Sequence, residues 1–237
     1  MTATVLVHSP LVGPATWEPV ARVLRGRGRT AVVPSLLDAS RTGPPFVGPQ
    51  AEAVADAVAA AGADRVLLVG HSGAGPLLPS IGVAVRRRGA TPVGYLFADA
   101  GLPHPGRSRL ASVHPSLRGR LAELARHDGM LPPWCDWFDP AAVDALLPEP
   151  ALRDRVLDEL QPVPVALLEE PMPDVPAWPD APCGYLRFSA AYAGDEAEAA
   201  GRGWPVAVLE GGHLLPVVAP GSVADALDDL VARLGVA

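Results

Sequence analysis

The chain of 237 residues contains no lysine and no asparagine. Without lysine, Schiff-base chemistry has no side chain to use, and without asparagine N-linked glycosylation has no acceptor. Cysteine is scarce. Cys135 and Cys183 match neither a zinc-ligand spacing nor a disulfide framework, so two reduced thiols and no metal are expected. Long apolar runs are also missing: nothing approaches the roughly 18 residues that a membrane-spanning helix needs. The opening MTATVLVHSP lacks the basic start and long apolar stretch of a secretory signal. A cytoplasmic protein with no membrane partner is therefore expected. Basic charge is thin, with a net charge of −7 and no dense basic stripe, which argues against a nucleic-acid partner. Arg86, Arg87 and Arg88 form the one basic run, just before Gly89, where cations offset the dipole at the end of a helix.

What is present reads as a globular α/β protein, with 49% hydrophobic and 19% charged residues. The length suits one domain with a substantial core. Short β-branched apolar runs recur at 4–8, 30–34, 65–70, 93–98, 184–189 and 205–209, and each reads as a buried strand. Between them, 16–26 and the alanine-rich 50–61 carry helical spacing. Ser222 with Asp225 resembles a capping box that opens a last helix over 223–234. Such alternation predicts a mostly parallel sheet of about six strands with helices on both faces. Residues 102–182 break the rhythm, with much proline, no convincing strand, and Trp134, Trp137 and Trp178. They read as a helical insertion within a single domain spanning 1–237. Its aromatics either fill its own core or form a lid over an apolar pocket, since sites in open α/β sheets lie at the carboxyl ends of strands.

The segment 66–75, VLLVGHSGAG, is a strand running into a sharp turn that opens a helix. This context suits a serine nucleophile held up on a strained turn, although Ala74 stands where G-x-S-x-G has its second glycine. Ser72 also sits at a helix N-terminus, where N–H groups and the dipole stabilise an oxyanion. An N-capping serine is the plain alternative. Far downstream, LEGGHLLP places His213 on a loop after the last strand, where an imidazole general base is needed.

Together VLVHSPLVGPATW, VGHSGAG and GGH resemble the α/β-hydrolase fold family over nearly the whole chain. That resemblance implies a Ser–acid–His triad built on Ser72 and His213, a lid between the fourth and fifth strands, and no cofactor. Two departures stand out. In the slot after 184–189, where the family usually has its acid, this chain has Tyr192. Asp195 follows slightly later, near a helix start where a solvent-facing or capping acid is equally natural. Asp99 ends the strand after the nucleophile helix, a position that some members use, and is the preferred candidate. A site with no acid is the third possibility. The second departure is His8-Ser9-Pro10, where the family has His-Gly and then an oxyanion-binding N–H that proline lacks. Gly73 and Leu11 are then the expected donors. His8, Ser9 and His71 are candidate substrate contacts, as are Trp134, Trp137 and Phe138 of the WCDWF run.

The resulting expectation is a serine hydrolase acting on a small-molecule ester, thioester or lactone with an apolar portion. A cyclase, lyase or epimerase on the same scaffold, or a ligand-binding protein, stays open because one fold hosts many chemistries.

Overall fold

The computed structural model describes residues 2–113 and 115–236. Six parallel strands form the central sheet: β1 (Thr2–Val7), β2 (Thr30–Val32), β3 (Arg65–Ser72), β4 (Thr91–Ala100), β7 (Cys183–Arg187) and β8 (Val206–Val208). Their order is β2-β1-β3-β4-β7-β8. The chain runs outward from β1 in one direction and returns to β3 on the other side. The carboxyl ends of β1 and β3 therefore flank the point where strand order reverses, where ligands bind in open α/β sheets.

The apolar runs of the four inner strands, β1, β3, β4 and β7, are continuous because both of their faces are buried. Val5, Val7, Leu68, Tyr95, Phe97 and Tyr185 point to one face, where they meet Val54, Ile81 and Val85. These belong to helices α2 (Val47–Ala60) and α3 (Leu78–Arg87). The alternate residues Leu6, Leu67, Val69, Leu96 and Leu186 point to the other face, onto Val20, Leu24, Leu227 and Leu230. These come from α1 (Glu18–Gly26) and the last helix, α11 (Pro220–Leu234). The period-2 alternation of the strands thus fills two separate cores. No helix among the described residues is long and apolar enough to cross a membrane.

Between β4 and β7 lie five short helices, α4 (Arg109–Ser112), α5 (Pro115–Leu124), α6 (Pro140–Leu146), α7 (Pro150–Leu157) and α8 (Ala166–Glu169). This stretch also holds two strands that sequence pattern misses, β5 (Met130–Leu131) and β6 (Val163–Pro164), paired antiparallel. Two residues each are too few to show a period. The proposed capping box does not form. Helix α11 starts at Pro220 without a side-chain cap, and Asp225 instead pairs with Arg27 at 2.6 Å. The remaining helix of the sheet body, α9 (Ala193–Gly201), follows β7, and α10 (Leu215–Val218) precedes α11.

The missing glycine of the elbow has a local explanation. Ala74 is fully buried and adopts ordinary right-handed geometry, so its methyl fits. The tight approach falls one residue later: a Cβ on Gly75 would stand 2.2 Å from the Gly101 carbonyl oxygen at the end of β4. Gly75→Ala must therefore push the elbow off β4, and is expected to cost about 1–3 kcal/mol. Ala74→Gly, which only loosens a turn, should cost about 1 kcal/mol or less. Urea denaturation of the two variants checks the order.

Candidate active site

Ser72 ends β3 with φ of 56°, and Asp99 lies near the end of β4 with φ of 45°. They are the only non-glycine residues among those described with positive φ. Between His71 and Ser72 the β3–β4 register shifts by one, so that Ser72 pairs with Ala100 and Asp99 is passed over. Both side chains are thereby turned off the sheet toward its carboxyl edge.

The Asp99 carboxylate is fully buried and takes four hydrogen bonds. Oδ1 accepts from the backbone N–H groups of Phe188 (2.8 Å) and Ser189 (2.9 Å). Oδ2 accepts from the Ser189 hydroxyl and from His213 Nδ1, each at 2.7 Å. Burial alone would raise its pKa, but the His213 and Ser189 contacts outweigh burial and hold it below the ordinary carboxylate range. Asp195 is spent elsewhere: in the first turn of α9, its Oδ1 accepts the N–H of Leu102 at 3.1 Å. Burial pushes its pKa up.

The His213 ring is held on both faces. His71 stacks on it with centroids 4.5 Å apart, and Tyr192 with centroids 5.2 Å apart and planes 14° from parallel. His71 Nε2 donates to the His213 carbonyl oxygen at 2.9 Å, which fixes the loop that carries the imidazole. Ser72 Oγ has the Tyr192 hydroxyl as its partner, at 3.3 Å. Gly73 lines the cavity beside Ser72. The Leu11 N–H points to Ser9 Oγ at 3.3 Å. His8 is buried, and it takes the Leu36 N–H on Nε2 (3.0 Å) while Nδ1 donates to the Ser9 carbonyl (2.8 Å). It braces the loop after β1 and is shielded from any substrate, as is buried His71.

Ser72, Gly73 and Leu11 open on a cavity of about 520 Å³. Its wall is mostly apolar, with Leu117, Leu121, Trp137, Leu168 and Met172, and His104, Arg107 and Asp195 add polar groups. Of the WCDWF aromatics only Trp137 lines it. The run forms a single 3₁₀ turn, Trp134–Trp137, which splays the side chains apart. Trp134 and Phe138 pack on each other at 5.8 Å instead, and Phe138 is 40% exposed.

Sequence reasoning missed Arg109. This buried residue of the insertion donates to the carbonyls of Gly73 (3.0 Å) and Leu167 (3.1 Å) and to Gln50 Oε1 (3.3 Å). Burial among neutral acceptors lowers its pKa to about 10. Its partners lie far away in sequence, so no local signal marks it. Among the described residues no cluster of His, Cys, Asp and Glu is suited to a metal.

The alpha/beta hydrolase family model matches residues 4–226. The chain belongs to the alpha/beta hydrolase family. No curated protein matches this chain by sequence. Among solved structures, it is similar to an extracellular alpha/beta-hydrolase from a Paenibacillus species, itself described as sharing structural and functional homology with tobacco salicylic acid binding protein 2. That match has 17% identity and a TM-score of 0.75, and covers 99% of each chain. A pyrethroid hydrolase from Sphingobium faniae JZ-2 matches at 18% identity and TM-score 0.68, covering 98% of this chain and 97% of its own. Tomato methylketone synthase I, in complex with 2-tridecanone, matches at 13% identity and TM-score 0.67, covering 98% of each chain. At these identities the likeness is one of fold.

Two buried histidines of this family member make stability depend on pH. Burial lowers the pKa of His8 to about 4 and that of His71 to about 3, from an ordinary 6.5, and the nearby His213 adds to the effect at His71. The unfolded chain therefore takes up protons below pH 6.5 that the folded one refuses, so stability is full above that pH and declines as pH falls. From pH 7 to pH 5 each histidine is expected to remove about 2 kcal/mol. Urea denaturation across this window checks the slope, and His8→Gln should reduce it by about half.

Proposed function

We propose that this protein is a serine hydrolase that cleaves a small-molecule ester, thioester or lactone with an apolar portion, using Ser72 as nucleophile, His213 as base and Asp99 as orienting acid. The observation that carries the reading is the 2.7 Å bond between His213 Nδ1 and buried Asp99, on the strand next to the one that presents Ser72 at φ of 56°. With Nδ1 committed to a carboxylate, the imidazole carries its proton there and leaves Nε2 to take the proton of Ser72. Asp99 also stabilises the imidazolium that results. Gly73 and Leu11 supply the N–H groups for the oxyanion. The apolar cavity wall, Trp137 included, takes the apolar part of the substrate, and the insertion acts as a lid over it. Nothing in this chemistry calls for a cofactor.

A second reading has a specific observation behind it. Pro10 has no N–H, and the Leu11 N–H is turned to Ser9 Oγ. One lost oxyanion donor costs about 2.7–4 kcal/mol of transition-state stabilisation. A weakened hole favours a non-hydrolytic reaction or ligand binding in the same cavity, and one fold neighbour is a synthase.

A fluorophosphonate probe separates the two. Ser72 is expected to be the only serine labelled, and labelling should vanish in Ser72→Ala with the melting curve unchanged. Folded protein that takes no label would transfer the case to the second reading. Asp99→Asn should reduce p-nitrophenyl ester turnover by roughly three to four orders of magnitude by favouring the wrong tautomer. Asp195→Asn keeps its bond to Leu102 and should leave turnover within a few fold.

A further inference from the structure

Tyr192 occupies the place where the family pattern has an acid, and the carboxylate role is filled by Asp99 on a different strand. Its hydroxyl lies 3.3 Å from Ser72 Oγ and, among the described residues, is the only side-chain group bonded to that atom. Its place is fixed by the chain just before it. Tyr192 closes the short turn Ala190–Tyr192, directly after Phe188 and Ser189, both of which are bonded to Asp99. Its ring lies parallel to the His213 imidazole with centroids 5.2 Å apart, so the phenol that reaches Ser72 also packs on the proposed base. Burial pushes the phenol pKa up to about 12, only partly countered by the Ser72 bond, so Tyr192 keeps its proton and can donate.

A free serine and an acyl-serine differ as acceptors. The hydroxyl oxygen of Ser72 offers an undiminished lone pair, whereas in an ester the same oxygen delocalises it into the carbonyl and accepts weakly. A fixed donor at this atom stabilises free serine, and the transition state leading to it, over the acyl-enzyme. Only an interaction that is stronger in the transition state than in the preceding ground state speeds a step. Attack on fresh substrate starts from a serine already bonded to Tyr192 and gains little.

We propose, resting on the serine-hydrolase reading, that Tyr192 is a further catalytic residue, whose hydroxyl binds Ser72 Oγ as that oxygen leaves in deacylation. Water adds to the acyl carbonyl and gives a proton to His213. The bond between the tetrahedral carbon and Oγ then breaks, its electron pair stays on Oγ, and the proton on His213 Nε2 moves to Oγ. Tyr192 donates a hydrogen bond throughout and keeps its own proton. The products are a carboxylic acid and the Ser72 hydroxyl.

Tyr192→Phe keeps the ring against His213 and removes only the hydroxyl. With p-nitrophenyl butyrate, rapid-quench intact-mass measurement follows acyl-Ser72 as it forms and decays. The variant is expected to decay about fivefold to tenfold more slowly, the worth of one hydrogen bond. It should show a burst of one p-nitrophenolate per Ser72, while its rate of fluorophosphonate labelling stays within twofold of wild type. A structural role in holding His213 would instead slow labelling and decay together, and that result overturns the proposal. Unchanged decay overturns it as well. In both cases a labelled, active wild type leaves the hydrolase reading standing. A wild type whose Ser72 takes no phosphonate overturns that reading and the Tyr192 role with it.

Discussion

Two residues held in left-handed backbone geometry, Ser72 and Asp99, determine how this site is assembled. Each conformation costs an L-residue on the order of 1–3 kcal/mol, and such strain persists only where the surroundings over-determine it. At Ser72 the surroundings are the tight seat of Gly75 against Gly101 and the β3–β4 register shift. At Asp99 they are four hydrogen bonds to a carboxylate with no access to water. Those bonds reach the segment after β7 and the loop after β8, so one strained side chain ties together the ends of three neighbouring strands. Protonating that carboxylate would remove charge from all four contacts at once, which is why it titrates below its usual range.

Around His213 the packing is aromatic on both sides, and the two neighbours do different work. His71 is buried and kept neutral, and its ring nitrogen grips the His213 carbonyl. It sets the loop, and its lack of charge avoids repelling an imidazolium alongside. Tyr192 supplies the other face together with a hydroxyl on Ser72. Both faces of the imidazole are thus covered, and its Nδ1 is committed to Asp99.

The insertion is fastened to the sheet body by charged side chains that bond main-chain groups. Arg109 holds the Gly73 carbonyl, Glu170 accepts the N–H groups of Phe46 and Val47 at the start of α2, and Glu159 accepts that of Ala15. The Glu159 contact also explains Gly13, where a Cβ would stand 2.2 Å from the carboxylate. Arg109 is buried, and a buried cation without such partners would be costly, so its bond between the insertion and the elbow is expensive to break.

The sequence alone determined the elements that rest on local pattern. Continuous apolar runs specified the sheet strands, most firmly the four inner ones, where burial on both faces leaves little room for polar residues, and the strand-to-turn context of Ser72 identified the elbow despite Ala74. The placing of Asp99 at a strand end, and of His213 after the last strand, was legible for the same reason. Element ends were less so. The two-residue β5 and β6 carry no period, and α11 begins at Pro220 because packing overrode the capping pattern of Ser222. What only tertiary structure decided depends on partners remote in the chain: the Asp99–His213 bond, the engagement of Asp195 with Leu102, and Arg109 on Gly73. The same holds for the parting of Trp137 from Trp134 and Phe138, and for Tyr192 against Ser72. Periodicity reports which face of an element is buried, but which side chain meets which across a sheet edge is set by strand order and register, and no local window of sequence contains either.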